Sequence, residues 1–435
     1  MVFQTNDAGS IPVIPSISFL ISSASSGACM RVPRRRTSRD RDSRPRVHLV
    51  VQPTVSHYRE PLLRRLLAST RLDVDLVGRY RNSEGSAADR IQSASPELLE
   101  QVTPLRFLSW GELWWERGQV GAVLSGKHDA YVLAGRIYTL SAWVALLAGR
   151  LTGRTVLLWG HGWKRPEDGL KRRLRLAFYA LCDGLLVYGD RAHDLGRSYG
   201  VAEEKIAVVY NSIYSEDQLA EGPAEEQPEP GHPGEDLARG AEAARRPTLI
   251  YSSRLTARHR LDTLAEALEM MPARTRPRVL VVGDGVERPR LERRFAEAEV
   301  DADFLGAVYD LPTLRRLYAQ ADAAVSIGGA GLNVTQALSL GVPVVAEGGN
   351  PDSSPEIEAV IDGETGRLYR SGDPESLREV LQELVEDPAG LRRMARRGLE
   401  VVRERYTAER HAQAMEEAIL AFLDARGAPR RTRIA

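Results

Sequence analysis

Two cysteines in 435 residues, Cys29 and Cys182, lie far apart in unlike surroundings. That scarcity excludes a CxxC-type metal site, argues against a disulfide framework and fits a reducing compartment. Net charge is missing too: 59 basic residues balance 59 acidic ones, so nothing global draws the chain toward nucleic acid or an anionic membrane. Any electrostatic partner has to be read locally. The apolar stretch near the start, "IPVIPSISFLISSASSGACM", is broken by prolines and serines, lacks the uninterrupted length of a spanning helix, and has no positive segment ahead of it. What remains, 43% apolar and 27% charged, is the composition of an ordinary soluble globular protein, and the length suggests two domains.

The arginine-rich run "RVPRRRTSRDRDSRPR" completes an extension over 1–45 that reads as disordered, upstream of a start at Met30, with a basic anchor to anionic lipid as the functional alternative. From Arg46 on, strand-length apolar runs alternate with amphipathic helical patterns, the mark of βαβ units on a parallel sheet. "RVHLVVQ", "LDVDLVG", "AYVLAG", "TVLLWGHG", "GLLVYG" and "KIAVVYN" supply strands of one doubly wound domain over 46–213, and "HYREPLLRRLLAST" opens a helix with Ser56 as its cap. Residues 214–246, rich in Pro, Gly and Glu, cannot bury enough surface to order themselves and are expected to be a disordered acidic linker. Alternation resumes at "PTLIYSSRL" for a second domain over 247–405, followed by a helix over 406–428 that can pack back on the first domain and a basic tail over 429–435. The predicted fold is α/β: two Rossmann-like doubly wound parallel-sheet domains facing a cleft, where a substrate would bind.

Glycine marks where chemistry would sit. "AAVSIGGAGLNVTQAL" reads as a buried strand, a turn carrying Gly328, Gly329 and Gly331, and a helix, and "VLVVGDG" repeats strand-then-glycine at Gly283 and Gly285. A helix starting just past a parallel strand points unsatisfied N–H groups outward, a ready site for a phosphate, and glycine lets that backbone come close. Tight helix–sheet packing explains the same residues equally well, and neither turn is a full GxGxxG fingerprint.

Order and context separate these readings. "SSRLTARHRLDTLAEAL", "LVVGDGVERPRLERRF", "ADFLGAVYDLPTLRRLYAQADAAVS", "GLNVTQALSLGVPVVA" and "VIDGETGRLY" resemble, in order and spacing, the retaining GT-B glycosyltransferases of family 4, and "QPTVSHYREPLLRRL", "VLLWGHGW" and "VVYNSIYSED" extend the resemblance into the first domain. It implies a transferase that moves a hexose-type sugar from a nucleotide-diphosphate donor to a saccharide or lipid-linked acceptor, as in surface polysaccharide or glycoconjugate synthesis, with no cofactor beyond the nucleotide sugar. A sugar-nucleotide 2-epimerase, with Glu347, Glu356 and Glu358 as its only candidate acid/base groups, and an inactive scaffold are the rivals on the same fold.

The resemblance implies roles residue by residue. Arg254 occupies the position of an arginine that clamps the donor diphosphate, and His259, five positions on, stands where a lysine is usual. Either His259 as a cation or a flanking arginine, Arg258 or Arg260, would complete the clamp, with Ser253 beside them. Two glutamates eight positions apart are usual around the glycine turn; Gly328 and Gln336 replace them here, as in a subgroup with a glycine-rich turn. Main-chain N–H groups of Gly328, Gly329, Gly331 and Leu332 would then hold the donor, with Gln336 on the ribose and Gly283 and Gly285 nearby. His161, just after a strand, would approach the sugar as a catalytic residue; His57, Tyr58, Arg59 and Trp163 would face the acceptor. The basic helix near Lys171, Arg172, Arg173 and Arg175 suits either solvent or an anionic membrane, placing the chain in the cytoplasm with a peripheral position at the inner face open to it. "DVD" at 73–75 and "DAD" at 301–303 mimic a metal-binding motif but lie beside strands, so no metal is expected; nor is nucleic acid, and the protein is read as a monomer.

Overall fold

The computed structural model describes residues 44–52, 54–80, 92–220 and 246–427. Residues 1–43 of the N-terminal extension, 221–245 of the acidic linker and the basic tail therefore lie outside the described residues. The start of the expected linker is ordered, with a short helix over Glu216–Ala220.

Strand β1 (Arg46–Val50) sends Val47 and Leu49 to one face of a sheet and Val50 to the other, and all are buried. Burial on both faces is what a central parallel strand requires. Around it lie β2 (Asp73–Gly78), β3 (Val102–Pro104), β6 (Ala130–Ala134), β7 (Thr155–Gly160), β8 (Gly184–Val187) and β9 (Ile206–Val208), in the order β3-β2-β1-β6-β7-β8-β9 and all parallel. An antiparallel hairpin, β4 (Phe107–Trp110) with β5 (Leu113–Glu116), stands outside this sheet and was not foreseen from the sequence. Its strands are short and largely exposed, so they lack the apolar periodicity that betrays a core strand.

The second sheet is built alike from β10 (Thr248–Ser252), β11 (Arg278–Val282), β12 (Ala302–Gly306), β13 (Ala323–Ser326), β14 (Val344–Gly348) and β15 (Gly366–Arg370), in the order β12-β11-β10-β13-β14-β15. Leu249 and Tyr251 of β10 enter one core and Ile250 the other. The expected pair of doubly wound parallel-sheet domains is thus present. The strand order reverses between β1 and β6 and between β10 and β13, and the loops leaving those strands at their carboxyl ends meet across a cleft.

Two pieces of chain join the lobes side by side. Residues 211–216 lead into the second lobe, and residues 406–408 lead back out of it into the long helix Ala408–Gly427. The N–H of Ala408 donates to the Tyr214 carbonyl (2.9 Å), the Glu216 N–H to Glu409 (2.8 Å), and Thr407 Oγ1 accepts from the Arg410 N–H (3.2 Å) to cap the helix. That helix lies on the first lobe: Met415, Ile419 and Phe422 join the core of Val47 and Leu49, and Arg426 pairs with Asp183 at 2.6 Å. Gly184 of β8 has no side chain because the Phe422 ring occupies the place of its Cβ.

Phe422→Ala removes a ring from a filled site, and we expect it to destabilise the first lobe by about 3 kcal/mol. Urea unfolding followed by tryptophan fluorescence reads this out; a loss under ~1 kcal/mol would show that the helix is not part of that core.

Candidate functional site

Between the carboxyl edges of the two sheets lies a cavity of about 960 Å³. It brings together His57, Tyr58, Arg59 and His161 of the first lobe with Ser253, Arg254, Arg258, His259, Gly283, Gly285, Gly329, Gly331, Leu332 and Gln336 of the second. Trp163 and Gly328, expected on the acceptor and donor sides, do not line it, and neither does Arg260. Trp163 is only 1% exposed and sits in the first-lobe core against Tyr179 and Tyr199, where Gly196 makes room for it. Its position next to His161 suggested the cleft, but the positive φ of Gly162 turns the chain inward between them. Gly328 lies behind the wall.

The glycines of the second lobe serve backbone packing. A Cβ on Gly283 would collide with the Ser253 carbonyl, one on Gly285 with that of Leu255, and one on Gly328 with the backbone of Arg258 and His259. The loops after β10, β11 and β13 are pressed together at their backbones, which fixes where Arg254, Arg258 and His259 stand. The N–H of Gly328, expected to hold a donor, instead donates to Glu347 (2.9 Å); those of Ala330 and Gly331 go to Ser353 (3.1 Å) and Asn333 (2.9 Å). The amides free by helix geometry are the first ones of the helix Leu332–Ser339, which begins at the cavity. Gln336 is also engaged: its Oε1 accepts from Ser252 (3.1 Å) and Tyr318 (3.3 Å) and its Nε2 donates to Tyr214 (3.0 Å), leaving one N–H for any ligand.

Arg254 is exposed at the cavity mouth beside Arg258. His259 is buried, with Nδ1 against Thr256 Oγ1 (2.8 Å) and Nε2 3.5 Å from Ser253 Oγ. Burial, with Arg258 and Arg254 adding repulsion, pushes its pKa down to about 4, so the imidazole is neutral near pH 7. The expected cation is the diphosphate-bound form: an anion beside the ring would favour its proton, against the burial and the two arginines that remove it in the ligand-free protein.

Across the cleft, Arg59 is almost wholly buried, donating to Asn211 Oδ1 and Tyr188 Oη (both 2.9 Å) with its guanidinium over the Trp159 ring. It organises the floor of the cleft more than it reaches into it. His161 stands edge-on to Tyr188 (5.0 Å); solvent reaches the ring within the cleft, yet the surrounding walls, then Lys164 and Arg59, hold its pKa down at about 3. It is therefore a neutral donor or acceptor throughout the physiological range. His57 meets Tyr309 of the second lobe edge-on at 5.3 Å.

Three more residues complete the cleft: Lys164 and Asn211, which the sequence reading gave no role, and Glu356, which it considered only as an acid/base group of the epimerase rival. Lys164 Nζ bonds Ser354 Oγ across the lobes (3.3 Å). Asn211 passes its Nδ2 hydrogen to Glu356 Oε1 (2.6 Å), while Glu356 Oε2 is buried without a partner. Asn211 lies within a stretch already tied to the family, and that was its only signal. The three glutamates considered as acid/base groups part company here. Glu347 and Glu358 both bind backbone: burial alone would raise the Glu347 pKa, but hydrogen bonds from Asn350 and Ser371 and the Arg260 charge hold it low. Glu358 accepts from the N–H groups of Asp190 (2.7 Å) and Arg191 (3.1 Å), at the start of a first-lobe helix. Burial outweighs those bonds and pushes its pKa to about 7. Glu356 alone faces the cavity.

The basic helix is more committed than its sequence implied. Arg175 grips Glu167 with two bonds (2.7 and 2.9 Å), Lys171 pairs with the same carboxylate at 3.4 Å, and Arg172 lies over Tyr199. Among the described residues no group of three or more His, Cys, Asp or Glu could hold a metal, and none of their helices is long and apolar enough to cross a membrane. Asp73 and Asp303 sit at the starts of their strands, away from the cleft, and pair with Arg46 and Arg278.

Residues 235–401 match the family model for glycosyl transferases group 1. No curated protein sequence matches the chain. Among solved structures, Anabaena HepE in complex with UDP is similar at TM-score 0.60 and 18% identity, covering 87% of this chain and all of that one. A glycosyltransferase of Rickettsia africae gives 0.63 at 16%, over 87% and 99% of the two chains. A candidate UDP-N-acetylglucosamine 2-epimerase of Listeria monocytogenes gives 0.56 at 13%, over 88% and 98%. At such identities the likeness speaks for the fold, and the fold is that of the GT-B glycosyltransferases, with a second lobe that matches the group 1 family.

Proposed function

We propose that the chain is a retaining, metal-independent family 4 glycosyltransferase that moves a hexose-type sugar from a nucleotide-diphosphate donor to a saccharide or lipid-linked acceptor in surface polysaccharide or glycoconjugate synthesis. The observation that carries this is the placing of Arg254, Arg258 and the open start of the helix Leu332–Ser339 on one wall of the cavity, with His161 on the other. Guanidinium groups and helix amides are aimed where negative charge would grow as the glycosidic bond to the diphosphate breaks. His161, held neutral, would hydrogen-bond the sugar without repelling the oxocarbenium-like charge on its ring. Closing of the lobes would exclude water, so that transfer outruns hydrolysis. Retention at the anomeric carbon rests on the family resemblance. Against epimerisation stands the loss of two of its three carboxylates to backbone hydrogen bonds; against a scaffold, the preserved cavity and arginines.

A peripheral position at an anionic inner membrane face belongs to the same proposal, with a different element in contact. The helix Leu140–Thr152 leaves Leu140, Val144, Leu147 and Leu151 exposed along one stripe, Leu151 by 87%, with Arg150 on the same helix and an exposed Arg173 on the helix Gly169–Leu181 that packs against it.

Incubation with a panel of uridine, guanosine and adenosine diphosphate sugars, with and without acceptors, should release nucleotide only when an acceptor is present, and Arg254→Ala should slow that release by about 100-fold or more. Calorimetry showing no affinity for any of these donors would end the proposal. A donor diphosphate also favours the protonated form of His259, so affinity should rise as pH falls from 8 toward 5.5, with His259→Lys flattening the slope; a wild-type slope no steeper than the variant's leaves His259 neutral. In flotation with phosphatidylglycerol vesicles, Leu147→Asp combined with Leu151→Asp should abolish co-migration, and unchanged flotation would remove this helix from the contact.

A further inference from the structure

A second cavity, of about 600 Å³, adjoins the main cleft on the first-lobe side and shares His161 and Arg258 with it. Six cationic side chains line it, Arg136, Lys164, Arg165, Lys171, Arg175 and Arg258, against three carboxylates. Two of those carboxylates are already taken: Glu112 by Arg136 at 2.9 Å, and Glu167 by Arg175 and Lys171. The third, Asp352, receives Arg258 on its backbone oxygen (2.9 Å), and its carboxylate pulls on Lys164 without forming a salt bridge among the described residues. Lys164, Arg165 and Arg258 therefore converge on the junction of the two cavities with more positive charge than the walls neutralise.

Crowding of this kind shows on Lys164. Its ammonium is mostly withdrawn from solvent and bonded to the neutral Ser354 hydroxyl, and its pKa is lowered first by burial, with Arg258 and Arg165 adding repulsion against the opposing pull of Glu356 and Asp352. Like charges gathered at low dielectric cost free energy, and an anion placed among them would recover it. The donor's diphosphate has its own anchors on the second lobe, at Arg254 and the helix Leu332–Ser339. Gly135, Gly160 and Gly162 line the second cavity without side chains to fill it, and Ile137 and Tyr138 give it apolar surface, so that a sugar ring carrying an anionic group suits the space.

We propose that this cavity is an acceptor subsite for a phosphate or carboxylate group, held by Lys164 and Arg165 with Arg258 shared between acceptor and donor, so that the acceptor is anionic close to its reacting hydroxyl. The proposal deepens the transferase reading and rests on it for the word acceptor; the anion site itself does not.

The test is calorimetric titration of the full chain saturated with UDP, using inorganic phosphate, glucuronic acid and the monomeric lipid phosphate dihexanoyl phosphatidic acid. At least one should bind with the nucleotide in place, and Lys164→Ala/Arg165→Ala should weaken it tenfold or more while UDP affinity stays within twofold. Tighter binding of the lipid phosphate than of inorganic phosphate assigns a lipid-borne source; equal binding assigns a soluble one, and preference for glucuronic acid a carboxylate. Failure of all three to bind the UDP-loaded protein, or a double variant that binds them unchanged, overturns the proposal. So does a double variant that loses UDP to the same extent, since the cations would then belong to the donor. Should UDP not bind at all, phosphate binding that survives Arg254→Ala and vanishes in the double variant leaves the anion site standing while the transferase reading falls.

Discussion

The Glu347 carboxylate, buried at the end of β14, accepts hydrogen bonds from five donors: the N–H groups of Gly328 and Gly372, the side chains of Asn350 and Ser371, and Arg260. An ionised carboxylate taken out of water demands such a set, and the demand works both ways. It draws the glycine turn after β13, the end of β15 and the loop after β10 onto one point. Because the Gly328 turn is packed against the backbone of Arg258 and His259, the placement of those two side chains, and of Arg254 beside them, descends from that single charge. A glutamate considered at first for proton transfer is thus the fastener of the second-lobe wall of the cleft.

The same strand continues into the segment that meets the other lobe. Within residues 354–358, Ser354 takes Lys164, Glu356 takes Asn211, and Glu358 closes on the amides of Asp190 and Arg191. Every one of these contacts is polar, and the cavity between the lobes has no apolar plug. Interfaces of this kind open at modest cost, which suits the proposed transfer, in which two substrates would enter before the lobes shut. The neutral state of His161 and His259 has a common source: protein packed around each ring, with Lys164 and Arg59 beside one and Arg258 and Arg254 beside the other, disfavours a charge on it.

The fold was legible because its central strands, such as β1, β6, β7, β10 and β11, are buried and rich in Val, Leu, Ile and Ala, and because βαβ alternation permits few topologies. The hairpin Phe107–Glu116 escaped, since exposed short strands carry no such pattern. Within the site, residues announced by backbone necessity were found easily: Gly283, Gly285 and Gly329 stand at the cavity, and so do Arg254 and His161, which leave the ends of strands. What could not be read was the direction of individual groups. Gly328 carries the signature of a ligand turn, yet spends its amide on Glu347; Trp163 follows His161 in sequence but turns into the core; the charge of Arg175 is consumed by Glu167. Asn211, Lys164 and Glu356 acquire meaning only when two lobes distant in sequence meet, and no local spacing encodes that.

The paired crossings near Tyr214 and Ala408 bear on how the cleft can open. One strand of chain between two bodies is a swivel, free to bend and to twist. Two strands running abreast and hydrogen-bonded to each other behave as a door hung on two pins: they permit swinging about the line through both and resist torsion. The two walls of the cleft must then separate and return along the same arc, keeping the arginines of one in register with the histidine of the other at each closing.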